Sequence, residues 1–393
     1  MTDSIERRSS PVRATRRRFL EVSAASAALL ATPWVRRAEA ATIQMRALMW
    51  GSYLMPDVIA EYEKTYDVSF SPTFFDGNSE AYNKLRVGGT RDFDLVQADG
   101  FWPSLYYREG LIRAFDYAAI RNTAHYYPAF QPSNFRLLVD APTGATFGVP
   151  YCWGGYGITY NMSRVDPEKV QSLEILFAPE MAGQLLTSAR FEENIAVTGI
   201  LVSAEMGTQT APRPDGKPFN PYVLTDEELA EVERRLIAQK SLLLTRYPDN
   251  QTLASLLQAG AATTAAEFSQ SYRKLNQMNA AGEIPDKFGH VLRPKEGALG
   301  WIDTWLISSG VQDGPRLDAA MGFIDMMISP ELMAKLAREA GSCSTIDWRA
   351  DATDLEKELF LMDRSDDIAS MHQFDQPSSP EKWERVWSNM QAA

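Results

Sequence analysis

The periodicity of apolar positions changes repeatedly along the chain and predicts strands that alternate with helices. Apolar and polar residues alternate at residues 42–50, 68–74 and 93–97, which favours strands. Apolar spacings of three and four favour helices that begin at Pro56 and Asn78, the latter capped by Asn78 or Ser79. This strand–helix rhythm predicts an α/β lobe with a largely parallel sheet.

Residues 149–161 form a strand of another kind, because its centre is rich in glycine and aromatic residues. Glycine inside a strand marks a close approach of backbone or ligand, and we interpret this strand as the crossing between two lobes. The second α/β lobe contains a helix over residues 225–240, opened by a capping box from Thr225 to Glu228. Residues 292–306 return the chain, and helices follow at 316–328, 330–339 and within 351–390. The predicted lobes are residues 41–151 plus 304–346, and 152–303 plus 347–393.

The first forty residues resemble an export signal rather than part of the fold. A twin-arginine signature at residues 15–20 is followed by a short apolar run at 22–31 and by Ala38-Glu39-Ala40. We expect cleavage after Ala40 and export to the periplasm by the twin-arginine pathway, which carries folded proteins. The alternative interpretation is a disordered basic tail.

Charge restricts the classes of partner. The formal net charge is −12, and because residues 1–40 contain eight arginines and four acids, the remaining chain carries −16. Such an acidic protein is a poor partner for nucleic acid or an anionic membrane, and is compatible with a cationic ligand. Roughly 350 residues exceed what one core usually supports, which agrees with two lobes. A monomer is expected.

No catalytic or cofactor signature is present in the sequence. His125, His290 and His372 have no metal-ligand spacing, and there is no phosphate-binding loop, dinucleotide fingerprint or nucleophile elbow. We therefore predict neither a metal nor a cofactor. Cys152 and Cys343 could pair in an oxidising compartment, or could remain two buried thiols.

Four predicted strand ends carry tryptophan, and ligands of open α/β sheets bind at such ends. They are residues 50–53, 99–102, 152–154 and 301–303. In an extended strand Trp301, Asp303 and Trp305 share one face. An indole attracts a cation and a carboxylate fixes it, so this face suits an organic ammonium ion. Taken alone, it could also be a half-buried strand with an exposed aspartate.

Several motifs resemble, in the same order, those of the periplasmic spermidine/putrescine-binding proteins of ABC transporters. They are residues 48–56, 93–96 with 108–112, 149–154, and 293–297 with 301–303. The resemblance implies a two-lobed, type II-like periplasmic-binding-protein fold whose hinge closes a cleft over a small cationic ligand. It also implies delivery to a membrane permease, and binding without catalysis.

The resemblance assigns ligand-binding roles to individual residues. Trp50 and Tyr53 would form an aromatic wall, with Phe101 after the third strand. Glu192 and Asp303 would receive amines, and the Trp301 indole would lie under the alkyl chain. The full predicted ligand-binding set is Trp50, Tyr53, Asp99, Phe101, Trp153, Glu192, Phe268, Trp301 and Asp303.

The chain departs from this family at four positions. Ala189 stands where an aspartate is expected, Phe268 where an indole is usual, Ser342 where tyrosine is common, and Asp99 where a small hydroxyl residue is found. Moving a carboxylate should alter which cation fits, because each buried charge needs a partner. A disulfide between Cys152 and Cys343 would tie the hinge.

Other functions were weighed against a polyamine. Another diamine, an amino acid-like amine or a quaternary ammonium ion remains open as the ligand. A periplasmic hydrolase could use Glu192 and Asp303 as acid and base, as paired carboxylates do in glycosidases. Arginine clusters or several tyrosine ligands would instead indicate an anion or a metal ion.

Overall fold

The computed structural model describes residues 42–211 and 216–393, and the predicted export signal lies outside these ranges. The strands are β1 Ile43–Met49, β2 Val68–Phe74, β3 Leu95–Asp99, β4 Ile112–Arg113, β5 Val149–Asn161, β6 Leu185–Ser188, β7 Leu243–Tyr247, β8 Thr264–Glu267, β9 Phe288–Val291, β10 Leu299–Ser308, β11 Cys343–Ser344 and β12 His372–Gln373.

The α-helices are α1 Pro56–Tyr66, α2 Asn78–Arg86, α3 Trp102–Arg108, α4 Phe191–Glu205, α5 Asp226–Gln239, α6 Asn250–Gln258, α7 Gln270–Ala280, α8 Pro315–Met327, α9 Pro330–Ala340, α10 Asp354–Leu359 and α11 Pro380–Ala392. Short 3-10 helices occupy Gly51–Tyr53, Gly89–Arg91, Tyr117–Ala119, Arg121–His125, Pro128–Phe130, Arg136–Leu138, Lys169–Gln171, Leu173–Phe177, Pro179–Met181, Arg349–Asp351 and Ser365–Ser370.

Local sequence signals predicted part of these elements, and the shorter strands of the second lobe were not predicted individually. β5 has the predicted bounds, and α5 begins with the predicted capping box, in which Thr225 and Glu228 exchange side-chain to backbone hydrogen bonds. The predicted cap of α2 is wrong. Gly77 precedes that helix without a side-chain hydrogen bond, and the amide of Asn78 is instead directed to Asp99. The side chain therefore serves a tertiary contact rather than the helix end.

The strands follow the order β2-β1-β3-β10-β5-β8-β6-β7. β1 pairs in parallel with β2 and β3, so the parallel pairing expected in the first lobe is confirmed. In the second lobe β6 also pairs in parallel with β7 and β8. The centre differs, because β10 runs antiparallel to β3 and β5, and β5 runs antiparallel to β8. Two long antiparallel strands thus join two parallel halves.

β5 and β10 pass through both lobes. Along β5, Trp153 belongs to a buried cluster that includes Met45 and Phe323, whereas Tyr156 belongs to a second cluster around Ile200. Along β10 the order is reversed, because Leu299 packs in the second cluster and Trp301 in the first. The crossing points are glycines, namely Gly154, Gly155 and Gly300. Every residue of both strands is buried.

The C-terminal residues return to both clusters. Trp348, Phe360 and Met371 pack in the first, and Trp383 and Met390 in the second. No helix among the described residues is both long and apolar enough to cross a membrane.

Candidate ligand-binding site

A cavity of about 660 Å³ lies at the ends of β1 and β3 and beside β10. Its walls come from both parallel halves of the sheet and from the segment that precedes α11. Eight of the residues predicted from the sequence line it, and they are Trp50, Tyr53, Asp99, Phe101, Glu192, Phe268, Trp301 and Asp303.

Trp153 does not line this cavity, contrary to the sequence prediction. Its indole is fully buried, donates a hydrogen bond of 3.1 Å to the carbonyl of Ser344 and packs against Phe130. The register explains the difference, because Trp153 is paired with Ile302 while Trp301 is paired with Gly154. Neighbouring positions in a strand point to opposite faces, so Trp153 points to the face opposite the cavity.

Gly154 makes room for the indole of Trp301. A Cβ atom added at Gly154 would stand 2.8 Å from Cζ2 of that indole and 2.9 Å from its Nε1. Separations below 3.0 Å require something to move, so only glycine permits this packing. The prediction was a close approach of backbone or ligand, and at Gly154 the approaching group is instead a side chain. The expected backbone approach occurs at Gly157, where a Cβ would lie 2.4 Å from the Val291 carbonyl oxygen. Trp305 has no role comparable to that of Trp301, because it is buried against Tyr151 and Phe323.

Asp303 is a buried carboxylate without a cationic partner among the described residues. Its side chain accepts a hydrogen bond from the hydroxyl of Tyr53 at Oδ2, and the residue is only 6% exposed. Burial, followed by the negative charge of Asp99, raises the pKa of this carboxyl well above its usual range, and the Tyr53 hydroxyl opposes that shift.

Asp99 is the cross-strand partner of Asp303, because the two residues stand opposite each other on antiparallel β3 and β10. Oδ1 of Asp99 accepts a hydrogen bond of 2.6 Å from the amide of Asn78. Burial raises its pKa to about 6, although this hydrogen bond and the charge of Arg190 oppose the shift. Like charges opposite each other are unfavourable in a sheet, so ionisation of both carboxyl groups is disfavoured here.

The opposite wall carries a second acidic group in the first turn of α4. Glu192 is half-buried, and Glu193, which the sequence reasoning missed, is only 2% exposed. Burial raises the pKa of Glu193 to about 7. The charge of Arg190 opposes this rise only partly, since its Nη1 lies 3.9 Å from the carboxylate. Oε2 of Glu193 is buried without a hydrogen-bond partner in the described chain. The family resemblance led to Glu192, and no signal in the sequence marked its neighbour as the more buried acid.

The segment before α11 forms a wall that sequence reasoning did not find. Phe374 packs 5.8 Å from the ring of Phe268, and Asp375 accepts a hydrogen bond of 3.0 Å from Asn220. The carbonyl of Phe374 also accepts a hydrogen bond of 3.2 Å from the amide of Phe101. Gly100 permits this contact, since its φ is 55° and a Cβ there would lie 2.4 Å from the Phe374 oxygen.

The cavity is strongly acidic. Six carboxyl side chains and one basic side chain line it. The acids are Asp76, Asp99, Glu192, Glu193, Asp303 and Asp375, and the base is Arg190. No group of three or more possible metal ligands occurs within residues 42–211 and 216–393. Acids and indoles together can hold an organic cation, since a cation over an indole face is attracted and a charged hydrogen bond is strong.

Cys152 and Cys343 are both free and buried in the structure, so the second of the two alternatives applies. Cys152 is paired with Ser344, and Cys343 is paired with Trp153. The two cysteines are therefore one step out of register and point to opposite faces of the sheet. The disulfide considered as a tie across the hinge is absent.

Comparisons with known proteins identify relatives of this chain. A family model described as bacterial extracellular solute-binding protein matches residues 57–357. The spermidine/putrescine-binding periplasmic protein of Escherichia coli (strain K12) is 23% identical over 300 residues, 74% of each chain. The putrescine-binding periplasmic protein SpuD of Pseudomonas aeruginosa is 22% identical over 293 residues, 73% of this chain and 74% of that one.

Solved structures show the same fold. The crystal structure of the spermidine/putrescine ABC transporter substrate-binding protein PotD from Streptococcus pneumoniae has a TM-score of 0.68 to this chain. It is 17% identical, and the match covers 89% of this chain and 99% of that one. The predicted two-lobed α/β fold is therefore confirmed.

Proposed function

The chain belongs to the bacterial extracellular solute-binding proteins, and from this premise we propose that it binds an organic polycation for an ABC importer. The ligand would be an aliphatic di- or polyamine, held in the cavity between the lobes and handed to a membrane permease. The names of the relatives from Escherichia coli and Pseudomonas aeruginosa support a polyamine. These relatives are transport proteins, which favours binding over catalysis.

The observation that carries this proposal is the set of buried carboxyl groups without matching cations. Asp99 and Asp303 form no ion pair within the described residues, and Glu193 has only the distant Arg190. Burying an unpaired carboxylate is costly, and a protein that keeps such groups in a cavity gains from any cation that enters. A ligand with two separated ammonium groups would satisfy both acidic ends of the cavity.

The aromatic residues would bind the carbon chain between the charges. Trp50 and Trp301 line the cavity beside the Asp99–Asp303 end, and Phe268 lines it towards α4. Methylene groups lose their contact with water against such rings, and the rings also attract the adjacent ammonium groups. We assign the amine contacts to Asp303 and Asp99 at one end and to Glu192 and Glu193 at the other.

Closure of the two lobes would enclose the ligand. We place the hinge at Gly154, Gly155 and Gly300, where β5 and β10 pass from one core to the other. The predicted lobes are residues 41–151 with 304–346, and 152–303 with 347–393. A hinge at these glycines would shift Trp153 and Trp301, which pack in the first core, to lobe 1. Of residues 347–393, Trp348 and Met371 would accompany the first core, whereas Leu359 packs with Leu186 and Tyr272 of the second lobe. The protein would act as a monomer in the periplasm after twin-arginine export.

A matched set of four-carbon ligands tests this proposal. We expect 1,4-diaminobutane to raise the melting temperature, since binding to the folded state stabilises it. Butylamine lacks the second charge, and 4-aminobutanoic acid replaces it with a carboxylate that the acidic cavity repels. Both should bind at least about tenfold more weakly by calorimetry, because each loses a charged hydrogen bond. Equal affinity for 4-aminobutanoic acid would contradict a dication site. If the diamine binds as expected, triamines and tetramines will define the preferred ligand length.

A further inference from the structure

The Asp99–Asp303 pair is more than two independent acids. We propose that this pair holds one shared proton in the unliganded protein and releases it when the cationic head group of the ligand enters between the two carboxyl groups. This inference rests on the proposed function, and it adds a proton exchange to the binding step. The resemblance to polyamine-binding proteins does not supply it, because a small hydroxyl residue is expected at position 99.

The two carboxyl groups lie on one face of the sheet. Asp99 and Asp303 are directly opposed on antiparallel strands, where side chains of a pair lie close together on one face. Both line the same cavity. Two carboxylates that share a site do not both ionise readily, because the second charge forms against the first. A proton shared between them removes that repulsion while the cavity is empty.

Neutral donors hold one oxygen of each carboxyl group. Tyr53 donates to Oδ2 of Asp303, and Asn78 donates to Oδ1 of Asp99. Each carboxyl group thus has one oxygen held by a neutral donor. The Trp50 indole N–H, which has no other partner, is a second neutral donor directed to Asp303 and lowers the pKa of that carboxyl. Apart from it, no described residue donates to the other oxygen of either group. These two oxygens are the acceptors that remain for a ligand, and one of them is the natural position for the shared proton.

Few charged groups of the described chain surround the Asp99–Asp303 pair. Among the groups whose charges act on the pair, the tyrosines and the thiol have pKa values raised by burial and remain neutral at physiological pH. Arg190 is the one cation among them, and Glu193 is a further acid. These groups are Tyr53, Tyr106, Tyr151, Cys152, Arg190, Glu193 and Tyr222. Desolvation raises the pKa values of both Asp99 and Asp303, in agreement with the shared proton.

Binding of the ammonium group displaces the shared proton. An ammonium group donates its N–H bonds to both free oxygens, and a carboxyl O–H at that position would oppose it donor to donor. The O–H bond breaks, its electron pair stays on the carboxylate, and the proton passes to the buffer. No covalent bond to the ligand forms. Binding at neutral pH then releases up to one proton, and affinity falls as the pH falls.

The pair can be tested first without any ligand. A carboxyl whose pKa is higher in the folded state binds more protons when folded, so stability falls as the pH rises towards that pKa. In Asp99→Asn the pair can no longer carry two charges. We therefore expect the stability of this variant, relative to the natural protein, to increase between pH 5.5 and pH 8.5 in urea unfolding. A difference that stays constant over this range would overturn the shared proton. Asp99→Ser, with a small hydroxyl, provides a second variant should Asp99→Asn fold poorly.

The exchange itself is measured by calorimetry with 1,4-diaminobutane in buffers of different ionisation enthalpy. The natural protein should release a fraction of a proton near neutral pH, and affinity should rise by up to about tenfold per pH unit below the apparent pKa of the pair. Asp99→Asn should lose most of this dependence. Asp313→Asn is the control, because Asp313 is exposed and pairs with Arg113 at the surface, and this variant should retain the full dependence. Glu193→Gln removes the other buried acid with a raised pKa and should lose only the part of the proton release that belongs to Glu193.

The outcomes separate the two proposals. Proton release that disappears in Glu193→Gln and persists in Asp99→Asn would overturn the assignment to the pair. Binding without proton release in the natural protein would overturn the exchange and leave the amine site intact. If no amine binds at pH 8.5, the proposed function and the exchange both fail, and the ligand-free measurement still decides whether the pair shares a proton.

Discussion

The indole of Trp301 occupies the space in which any side chain at Gly154, its cross-strand partner, would have to lie. The glycine thus sets the position of an aromatic wall of the cavity. It also stands where β5 passes from one core to the other. One residue therefore links the hinge to the surface that would touch the ligand.

Gly154→Ala should displace this indole and weaken ligand binding. The added methyl group would stand 2.8 Å from Cζ2 of Trp301, and relieving that overlap moves either the ring or the strand. Overpacking of this kind costs about 1–3 kcal/mol, which urea unfolding would measure. We also expect at least about tenfold weaker binding of 1,4-diaminobutane, on the scale of one lost aromatic contact.

The control for this substitution is Gly77→Ala. Gly77 also lines the cavity, but its φ is −168° and a Cβ there meets no atom within 4 Å. It should leave affinity unchanged, and it should lower stability by no more than about 1 kcal/mol, because alanine is a poorer residue than glycine before a helix. An equal loss of affinity in both variants would show that Gly154 does not set the position of the Trp301 indole.

Asp303→Asn should weaken ligand binding while it stabilises the ligand-free protein. The substitution removes the charge that, in the proposed site, would receive an ammonium group. Affinity for a diamine should therefore fall by at least about 1.5 kcal/mol, measured by calorimetry. Folding raises the pKa of Asp303, so its ionised form destabilises the ligand-free protein as pH rises. The variant should therefore unfold at a higher urea concentration at pH 8, and less so at pH 5.

Asp313→Asn is a comparison for that substitution, because the side chain of Asp313 is 84% exposed and pairs with Arg113 at the surface. It should leave affinity unchanged and alter stability by less than about 1 kcal/mol. Unchanged affinity in Asp303→Asn would exclude Asp303 from the site.

Gly100→Ala tests the wall formed by the segment before α11. A methyl group there would lie 2.4 Å from the carbonyl oxygen of Phe374, which accepts the amide hydrogen of Phe101. The contact should open, and hydrogen exchange at the Phe101 amide should accelerate. Ligand affinity should fall as well, since Phe374 and Asp375 line the cavity.

Gly207→Ala separates this effect from backbone strain. Gly207 has a similar positive φ of 70°, but a Cβ there has open space around it. Both variants share the cost of a left-handed residue, about 1–2 kcal/mol, whereas only Gly100→Ala should alter exchange at Phe101. Identical exchange in the two variants would show that the tail contact does not depend on Gly100.

The thiols of Cys152 and Cys343 should be inert in the folded protein and countable after unfolding. Both are fully buried, and burial raises their pKa values, which removes the reactive thiolate. A thiol reagent should therefore find none in the native protein and two in denaturant without reductant. Finding none in denaturant would mean that the two cysteines are bonded after all, and that the strand register around β11 differs.

Local patterns predicted part of the secondary structure, and they could not predict the order of strands in the sheet. Alternation and the capping box located β5 and α5, because those signals involve neighbouring residues. The insertion of β10 between β3 and β5 joins residues such as Thr304 and Ala98, which are 206 positions apart. No period in the sequence specifies such a partner.

The site was predictable where family motifs and strand ends coincided, as at Trp301 and Asp303. Trp153 was misplaced because the motif identified its strand without fixing which face that residue takes, and pairing with Ile302 directs it into the core. Glu193, Phe374 and Asp375 were missed for a different reason. They reach the cavity only through the tertiary packing of α4 and of the segment before α11, which leaves no periodic trace.

The central place of β10 has a consequence for the order of events during synthesis. This strand ends at Ser308, and until it has been made, β3 and β5 lack the neighbour that pairs with both of them. Contacts so distant in sequence form late and slowly. An export signal at residues 1–40, as predicted, would leave the ribosome long before the sheet could close. If export requires a folded protein, translocation could begin only after the last third of the chain, which contains β10, has been synthesised.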